Sequence, residues 1–591
     1  MECKPYPQIC SKLSCLLALA LAIISYNWRI LMKKLCQFRL RPRPRPRPRP
    51  LPPGPKGFPI IGCLPTMVKN NIPTFKWMHQ FMKRMETEIG CFHLGNTYFI
   101  TVTSPELTCE FLKKHDAIFA SRPKVMSSRL INNGHISTAF SPAGDQWKKM
   151  KKILVSKVLS PSMHEKFHDK RRGEADRLVR YVHSQCRSEL NDGIVDVRSV
   201  ARHYCAGVIK RYIFDKRSFG KDEKDGSPAI EDVEHMEATF ILLSHLYGFA
   251  IGDLCPWLEV FDFDGHKKIM TDAIAVIDKF HDVEINRRVE IWKKGIEIGE
   301  EDILGVLINL KDSQNNPLLT IQEIKAHIKL KSQDIILATT DNPSNVAEWS
   351  LAEMINQPKI FDKARQELDR VVGRDRLVEE SDLPNLNYIK ACAKESFRLH
   401  PIAPFNVPHE SSKDVVVGGY FIPKGSQVLI SRRGVGHNPR VWEEPLKYKP
   451  ERHISRDEDT GEVMISDHEL RMFSFSTGRR GCPGFMLGST LTTMLLARLI
   501  QGFDWNAPNG PEFIDLGAPD DDNFLMKRPL LARATPRNRI LILYCIFRLC
   551  FFYCFFFFLR TTFKKNKYTT HIYYFYIFYK IICSSHKKNY F

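Results

Sequence analysis

Apolar positions change their spacing along this chain of 591 residues. Leu13 to Trp28 is uncharged and rich in Leu, Ala and Ile; with Ile30–Met32 it approaches the roughly 20 residues that span a bilayer. From residue 51 to 539 the pattern is mostly helical, with a little sheet. Thr320-Ile-Gln-Glu323 is a capping box, a hydroxyl and a carboxylate three residues apart, and predicts the start of a long helix that stops near Pro358. Val415–Val417, Tyr420–Ile422 and, after Pro423-Lys-Gly425, Val428–Ile430 predict short strands with a turn. The expected fold class is mostly α (α+β). Residues 540–591 break from all of this: they lack Ala, Gly, Pro, Val, Asp and Glu and are rich in Phe, Tyr, Ile and Lys. That composition is what AT-rich untranslated DNA encodes, so the tail is expected to be a gene-model artefact rather than a domain.

Charge distribution sharpens the picture. The formal net charge is +21, but residues 1–50 hold eleven bases against Glu2, and residues 540–591 hold eight bases and no acid. About +3 remains for the middle, an ordinary globular balance, so the high net charge gives no reason to expect a nucleic-acid partner. Lys33, Lys34, Arg39 and the Arg-Pro repeat of residues 41–50 follow the apolar run and act as a stop-transfer. A retained single-pass anchor is expected, with the bulk of the chain on the cytoplasmic side; a cleaved signal peptide is the competing reading. The repeat is an extended spacer suited to anionic lipid, and Leu51-Pro-Pro-Gly-Pro55 a hinge. The sixteen cysteines show no metal-ligand spacing and no disulfide framework.

The chemistry concentrates in Phe475-Ser-Thr-Gly-Arg-Arg-Gly-Cys-Pro-Gly484, of the form F-x-x-G-x-R-x-C-x-G. Its parts suit a thiolate bound to haem iron. In that reading Cys482 would be the axial ligand, Phe475 would shield the sulfur, Gly478 permit a sharp turn, Arg480 pair with a propionate, and Gly484 let a helix start close by, its N–H groups favouring the anion. A thiolate ligand pushes electron density onto iron and favours O–O cleavage. A buried structural cysteine is the alternative. Glu395 and Arg398 form an E-x-x-R pair on one helix face, and Arg452 stands thirty residues before Cys482.

These motifs, in this order, resemble the cytochrome P-450 family of haem-thiolate monooxygenases, and the likeness covers about residues 51–539. The resemblance implies a haem b cofactor (iron protoporphyrin IX), O2 and NADPH as co-substrates, and NADPH-cytochrome P450 reductase as the flavoprotein partner. It further implies location in the endoplasmic reticulum membrane. Glu395, Arg398 and Arg452 are expected to form a buried network beneath the haem. Trp147-Lys-Lys-Met-Lys151 resembles the helix whose Trp147 and basic Lys151 reach a propionate, and His409 belongs to the same haem shell. Lys148, Lys149 and Lys152, with Arg479, either form the face that docks the reductase or are a solvated basic helix face.

Over the iron, the family's acid–threonine pair is replaced by Ala338-Thr-Thr-Asp-Asn-Pro-Ser-Asn345. Asp341 keeps the acid, Asn342 stands in the threonine position, and Pro343 removes a helix hydrogen bond. Thr339, Ser344, water or substrate must then relay protons. This stretch, with Pro404-Phe-Asn-Val-Pro-His409, Ala201-Arg-His-Tyr-Cys205 and the cysteine run, resembles the plant amino-acid N-monooxygenases that form aldoximes. That likeness implies two N-hydroxylations of an L-amino acid, then dehydration and decarboxylation to an (E)-aldoxime. Asn406 is a candidate for the substrate carboxylate, with strand capping as the alternative, and Asn132–Thr138 is a candidate wall of the pocket. His245–Phe249 and Pro256-Trp257 favour an aromatic amino acid, Phe or Trp. Leu330-Lys-Ser-Gln333 looks like an insertion in the long helix. The competing functions are another monooxygenase on a hydrophobic small molecule, a haem-thiolate hydroperoxide isomerase or dehydratase, and a non-catalytic haem protein.

Overall fold

The capping box closes as its residues dictate. The Thr320 amide donates to Glu323 at 2.9 Å, and the Glu323 amide donates to the Thr320 hydroxyl at 3.1 Å. In this computed structural model the described residues are 49–537, apart from 71, 133–137, 189–191, 222–224, 247, 329–337, 455–460, 509–512 and 518–524. The expected anchor Leu13–Trp28, most of the Arg-Pro repeat, most of the Asn132–Thr138 loop, the Leu330–Gln333 insertion and the 540–591 tail therefore lie outside the described residues. Among the described residues no helix is long and apolar enough to cross a membrane.

Two units are distinguished. Among the described residues one comprises 49–51 with 419–421; within it the Phe421 amide donates to the Pro50 carbonyl at 2.8 Å. The other comprises the described residues of 52–418 and 422–537 and carries the elements that matter for chemistry.

In the larger unit the helices used below are α1 (Asp145–Ile153), α2 (His168–Cys186), α3 (Val197–Phe214), α4 (Ile321–Ile328), α5 (Ala338–Asn356), α6 (Asn387–Leu399) and α7 (Phe485–Gly502). Asp196 caps α3 by accepting from the Ser199 amide at 2.9 Å. Helix α5 ends at Asn356, and a new helix starts at Pro358, whose ring disfavours helix in the residue before it. The predicted stop is therefore met. Central α5 packs on α3, α6 and α7, and α3 also packs on α2. Val346, Ala347, Trp349, Leu351, Ala352 and Met354 from α5 join Leu491, Leu495 and Leu496 from α7 in one core.

Strands are β1 (Ile89–Leu94), β2 (Thr97–Val102), β3 (Ile194–Asp196), β4 (His409–Glu410), β5 (Val415–Val417), β6 (Tyr420–Ile422), β7 (Gln427–Ile430), β8 (Phe503–Asn506) and β9 (Leu531–Pro536). All three predicted stretches are strands. β7 is buried along its whole length and pairs parallel with β2, far away in sequence, and antiparallel with β4, giving the order β1-β2-β7-β4. A second sheet runs β3-β9-β8.

Candidate active site

The cysteine loop is shaped by its glycines. Gly478 has φ +69°, and a Cβ there would lie 2.5 Å from the Leu112 carbonyl oxygen, so both conformation and space demand glycine. The loop closes where the Cys482 amide donates to the Phe475 carbonyl at 2.8 Å. Gly484 then caps α7. Cys482 is exposed to the slot, yet desolvation by the surrounding protein pushes its thiol above its ordinary pKa, while the Gly484 amide and the Arg432 charge act against that rise. The Phe475 ring meets Phe485 edge-on at 5.0 Å, and a Cβ at Gly488 would crowd that ring at 3.2 Å. Cys482 and Phe475 line a slot of about 250 Å³.

Glu395 is the centre of a buried network. Glu395, fully buried, accepts from Arg398 at 2.7 and 2.8 Å, from Arg452 at 3.2 Å and from His453 at 2.8 Å. Arg398 also donates to the carbonyls of Gly436 and Pro445 at 2.7 and 2.6 Å. Burial alone would raise the Glu395 pKa, but the bonds from Arg398 and His453 hold it down to about 2. The three residues singled out in the sequence are thus together, and His453 is a fourth member. Its only sequence signal was adjacency to Arg452.

One end of the slot is cationic. Arg480 donates to the carbonyls of Ala120, Thr138 and Ser141 at 2.6–2.8 Å, and its guanidinium stacks 4.2 Å from the Trp147 ring centre. Lys151 donates to the Arg479 carbonyl. Arg122, which the sequence reading missed, donates to the carbonyls of Val407 and Pro408 at 2.8 Å. The buried Trp147 Nε1 has no partner. His409 bonds the Phe119 carbonyl at 2.7 Å through Nδ1, and burial, with Arg122 and Arg480 nearby, holds its pKa well below the ordinary value. All five residues line the slot. Three cations and an unpartnered indole N–H beside a thiol in a largely apolar slot fit an iron porphyrin with its two carboxylates.

The expected basic face is mostly committed. Lys149 pairs with Glu323 at 2.8 Å, Lys148 with Asp145 at 2.9 Å and Arg479 with Asp116 at 2.9 Å; Lys152 is exposed.

Opposite the cysteine, Thr339, Asn342 and Pro343 of α5 line the slot, and Asn342 also lines a second cavity of about 530 Å³. Phe99, Phe140, Phe240, Phe249 and Phe405 give this cavity an aromatic wall. Asp341 lines it too. Burial pushes the Asp341 carboxyl up to about 6, against the charge of Arg202 and the side chain of Asn345. Arg202 lies 3.7 Å from Asp341 and stacks 3.4 Å from the Phe240 ring centre. α5 runs on through Pro343, and the Ser344 hydroxyl donates back to the carbonyls of Thr340 and Asp341 at 2.7 and 2.9 Å. Ser344 therefore serves its own helix and lines neither cavity. Asn406 lines both: its Oδ1 accepts from the Ile430 amide at 2.7 Å, while its Nδ2 has no partner.

Comparison with known proteins agrees with this geometry. The cytochrome P450 family model matches residues 52–530. Tyrosine N-monooxygenase of Sorghum bicolor is 50% identical, over 82% of this chain and 86% of that protein. Isoleucine N-monooxygenase 1 of Lotus japonicus is 49% identical, over 82% and 89%. Tryptophan N-monooxygenase 1 of Arabidopsis thaliana is 48% identical, over 80% and 86%. A solved zebra fish cytochrome P450 with abiraterone superposes with a TM-score of 0.62 at 19% identity, over 79% of this chain and all of that one, a likeness of fold.

Proposed function

We propose that this chain, which belongs to the cytochrome P450 family, N-hydroxylates an L-amino acid twice and releases the (E)-aldoxime. As a member of that family it binds haem and uses O2 with electrons derived from NADPH. The overall reaction joins one amino acid, two O2, two NADPH and two protons to give aldoxime, CO2, three waters and two NADP+. A flavoprotein reductase is the electron donor in this reading. The N-terminal apolar run and its basic flank support residence at the endoplasmic reticulum membrane.

One observation carries the reading: relatives about half identical, over four-fifths of this chain, share amino-acid N-monooxygenase names although the amino acids named differ. A common handling of the α-amino acid with a variable side-chain pocket explains that pattern. The phenylalanine-rich wall of the second cavity supports an aromatic side chain, Phe or Trp.

When bound, the haem supplies one-electron and O2 chemistry. Cys482 would provide the iron's sulfur ligand, Phe475 and Gly478 shape its loop, and Gly484 caps α7 beside it. Arg480, Trp147, Lys151 and His409 would hold the propionate end, while Glu395, Arg398 and Arg452 form the buried network that braces the fold. Asp341, its pKa raised to about 6, exchanges protons near neutral pH beside Asn342 and Thr339.

The test is turnover of the full chain with reductase, NADPH and labelled Phe, Trp, Tyr, Ile and Val. Accumulation of a labelled aldoxime that requires NADPH supports the reading. NADPH-independent conversion of a fatty hydroperoxide, with no oxime from any amino acid, overturns it.

A further inference from the structure

Resting on the amino-acid reading above, we infer that Arg432 and Asn406 together form the subsite that binds the substrate's α-carboxylate. Nothing in the motif pattern marks Arg432; the fold does. The Asn406 backbone N–H donates to Ile430 at 3.1 Å and its Oδ1 accepts from the Ile430 amide, while the Arg432 amide donates to the Pro404 carbonyl at 3.0 Å. Phe405 and Ser431 form the bridge between the two segments. This register places both side chains along the wall common to the slot and the aromatic cavity, and both residues line both spaces.

Both are donors lacking acceptors. Asn406 is only 6% exposed and its Nδ2 has no partner; the Nε and Nη1 of Arg432 are buried and have none either. A ring contact to Phe473 at 5.8 Å does not replace a counter-ion. Burial pushes the Arg432 guanidinium down to about 10, opposed only by Cys482. A buried cation without an anion is costly, and a carboxylate gives a guanidinium and an amide what they lack, in charge-assisted bonds. The other cations nearby are placed differently: Arg122 and Arg480 belong to the slot's cationic end, and Arg202, whose Nε and Nη2 also lack hydrogen-bond partners, has the Asp341 carboxylate 3.7 Å away. The slot's own carboxylate end is furnished by Arg480, Lys151 and Trp147, which leaves Arg432 and Asn406 for a carboxylate arriving through the aromatic cavity.

The experiment titrates the full-length holoprotein with L-Phe, L-Tyr, L-Trp, L-Val and L-Ile, then with the amine obtained by decarboxylating the best ligand, and follows the Soret shift. Wild type is expected to bind the amino acid on the order of 10–100-fold more tightly than the amine. Arg432→Met should bring amino-acid affinity down to the amine's level and leave amine affinity unchanged, with Arg432→Lys recovering part of the loss. Asn406→Asp keeps the acceptor for Ile430 but repels a carboxylate, so it should weaken the amino acid and spare the amine. Equal amino-acid affinity in wild type and Arg432→Met overturns the inference alone. Loss of haem from Arg432→Met, with unchanged amino-acid affinity in the remaining holoprotein, assigns Arg432 to a haem propionate and also overturns it. If wild type binds no amino acid, the amino-acid reading falls and the inference falls with it.

Discussion

The wall behind Cys482 and the wall opposite it use charge in contrary ways. Behind the sulfur, Glu395 is surrounded by Arg398, Arg452 and His453, and its pKa is held down to about 2. Around the aromatic cavity, Arg432 has no acceptor, Asn406 keeps an unpartnered Nδ2, and Asp341 meets Arg202 only at 3.7 Å, its pKa raised to about 6. A paired buried charge braces structure; an unpaired one costs stability and waits for a ligand or a proton. The contrast separates scaffold from recognition without reference to any relative.

Three substitutions probe it, in descending size. Glu395→Gln strands two guanidiniums and should lower unfolding free energy by about 3–5 kcal/mol near neutral pH. Because the folded Glu395 pKa is depressed, that stabilisation is present above the ordinary carboxylate pKa of 4.5 and is lost as pH falls towards 2, so wild type and variant should converge in acid. Denaturant unfolding of the holoprotein across pH checks this. Gly478→Ala, forcing a Cβ into φ +69° and against the Leu112 carbonyl, should cost about 2 kcal/mol and show first as weakened haem retention.

Asp341→Asn should act in the opposite direction. The folded carboxyl keeps its proton up to about pH 6, whereas the unfolded one releases it near 3.8, so stability falls across that window and stays lower above it. The stability of the asparagine variant relative to wild type should therefore rise between pH 3 and pH 8, on top of a pH-independent cost for leaving Arg202 without its anion. The variant's turnover of the amino-acid substrate should drop about 100-fold and lose any limb near pH 6. A variant that is fully active and whose stability relative to wild type does not change with pH would erase the distinction between the two walls.

What the sequence made legible was local. Cys482, its turn and its shielding Phe475 occupy one run, and the capping box needs only Thr320 and Glu323. Glu395, Arg398 and Arg452 were legible through the family likeness, because nothing in their spacing says that a buried carboxylate joins them. His453 and Arg122 escaped notice because their partners, Glu395 and the carbonyls of Val407 and Pro408, lie far off in sequence. Arg432 was hidden more deeply: its significance lies in donors left over after the strand register is set, and a string of residues does not show what is left over. The commitment of Lys149 to Glu323 was equally invisible, since it depends on α1 and the start of α4 coming together.

All of this depends on the Cys482 sulfur being the iron's ligand. The direct measurement is the absorption of the reduced, CO-bound protein, wild type beside Cys482→Ser. A thiolate-type Soret band is expected in wild type, and its loss in the serine variant. An unchanged band in Cys482→Ser would contradict it.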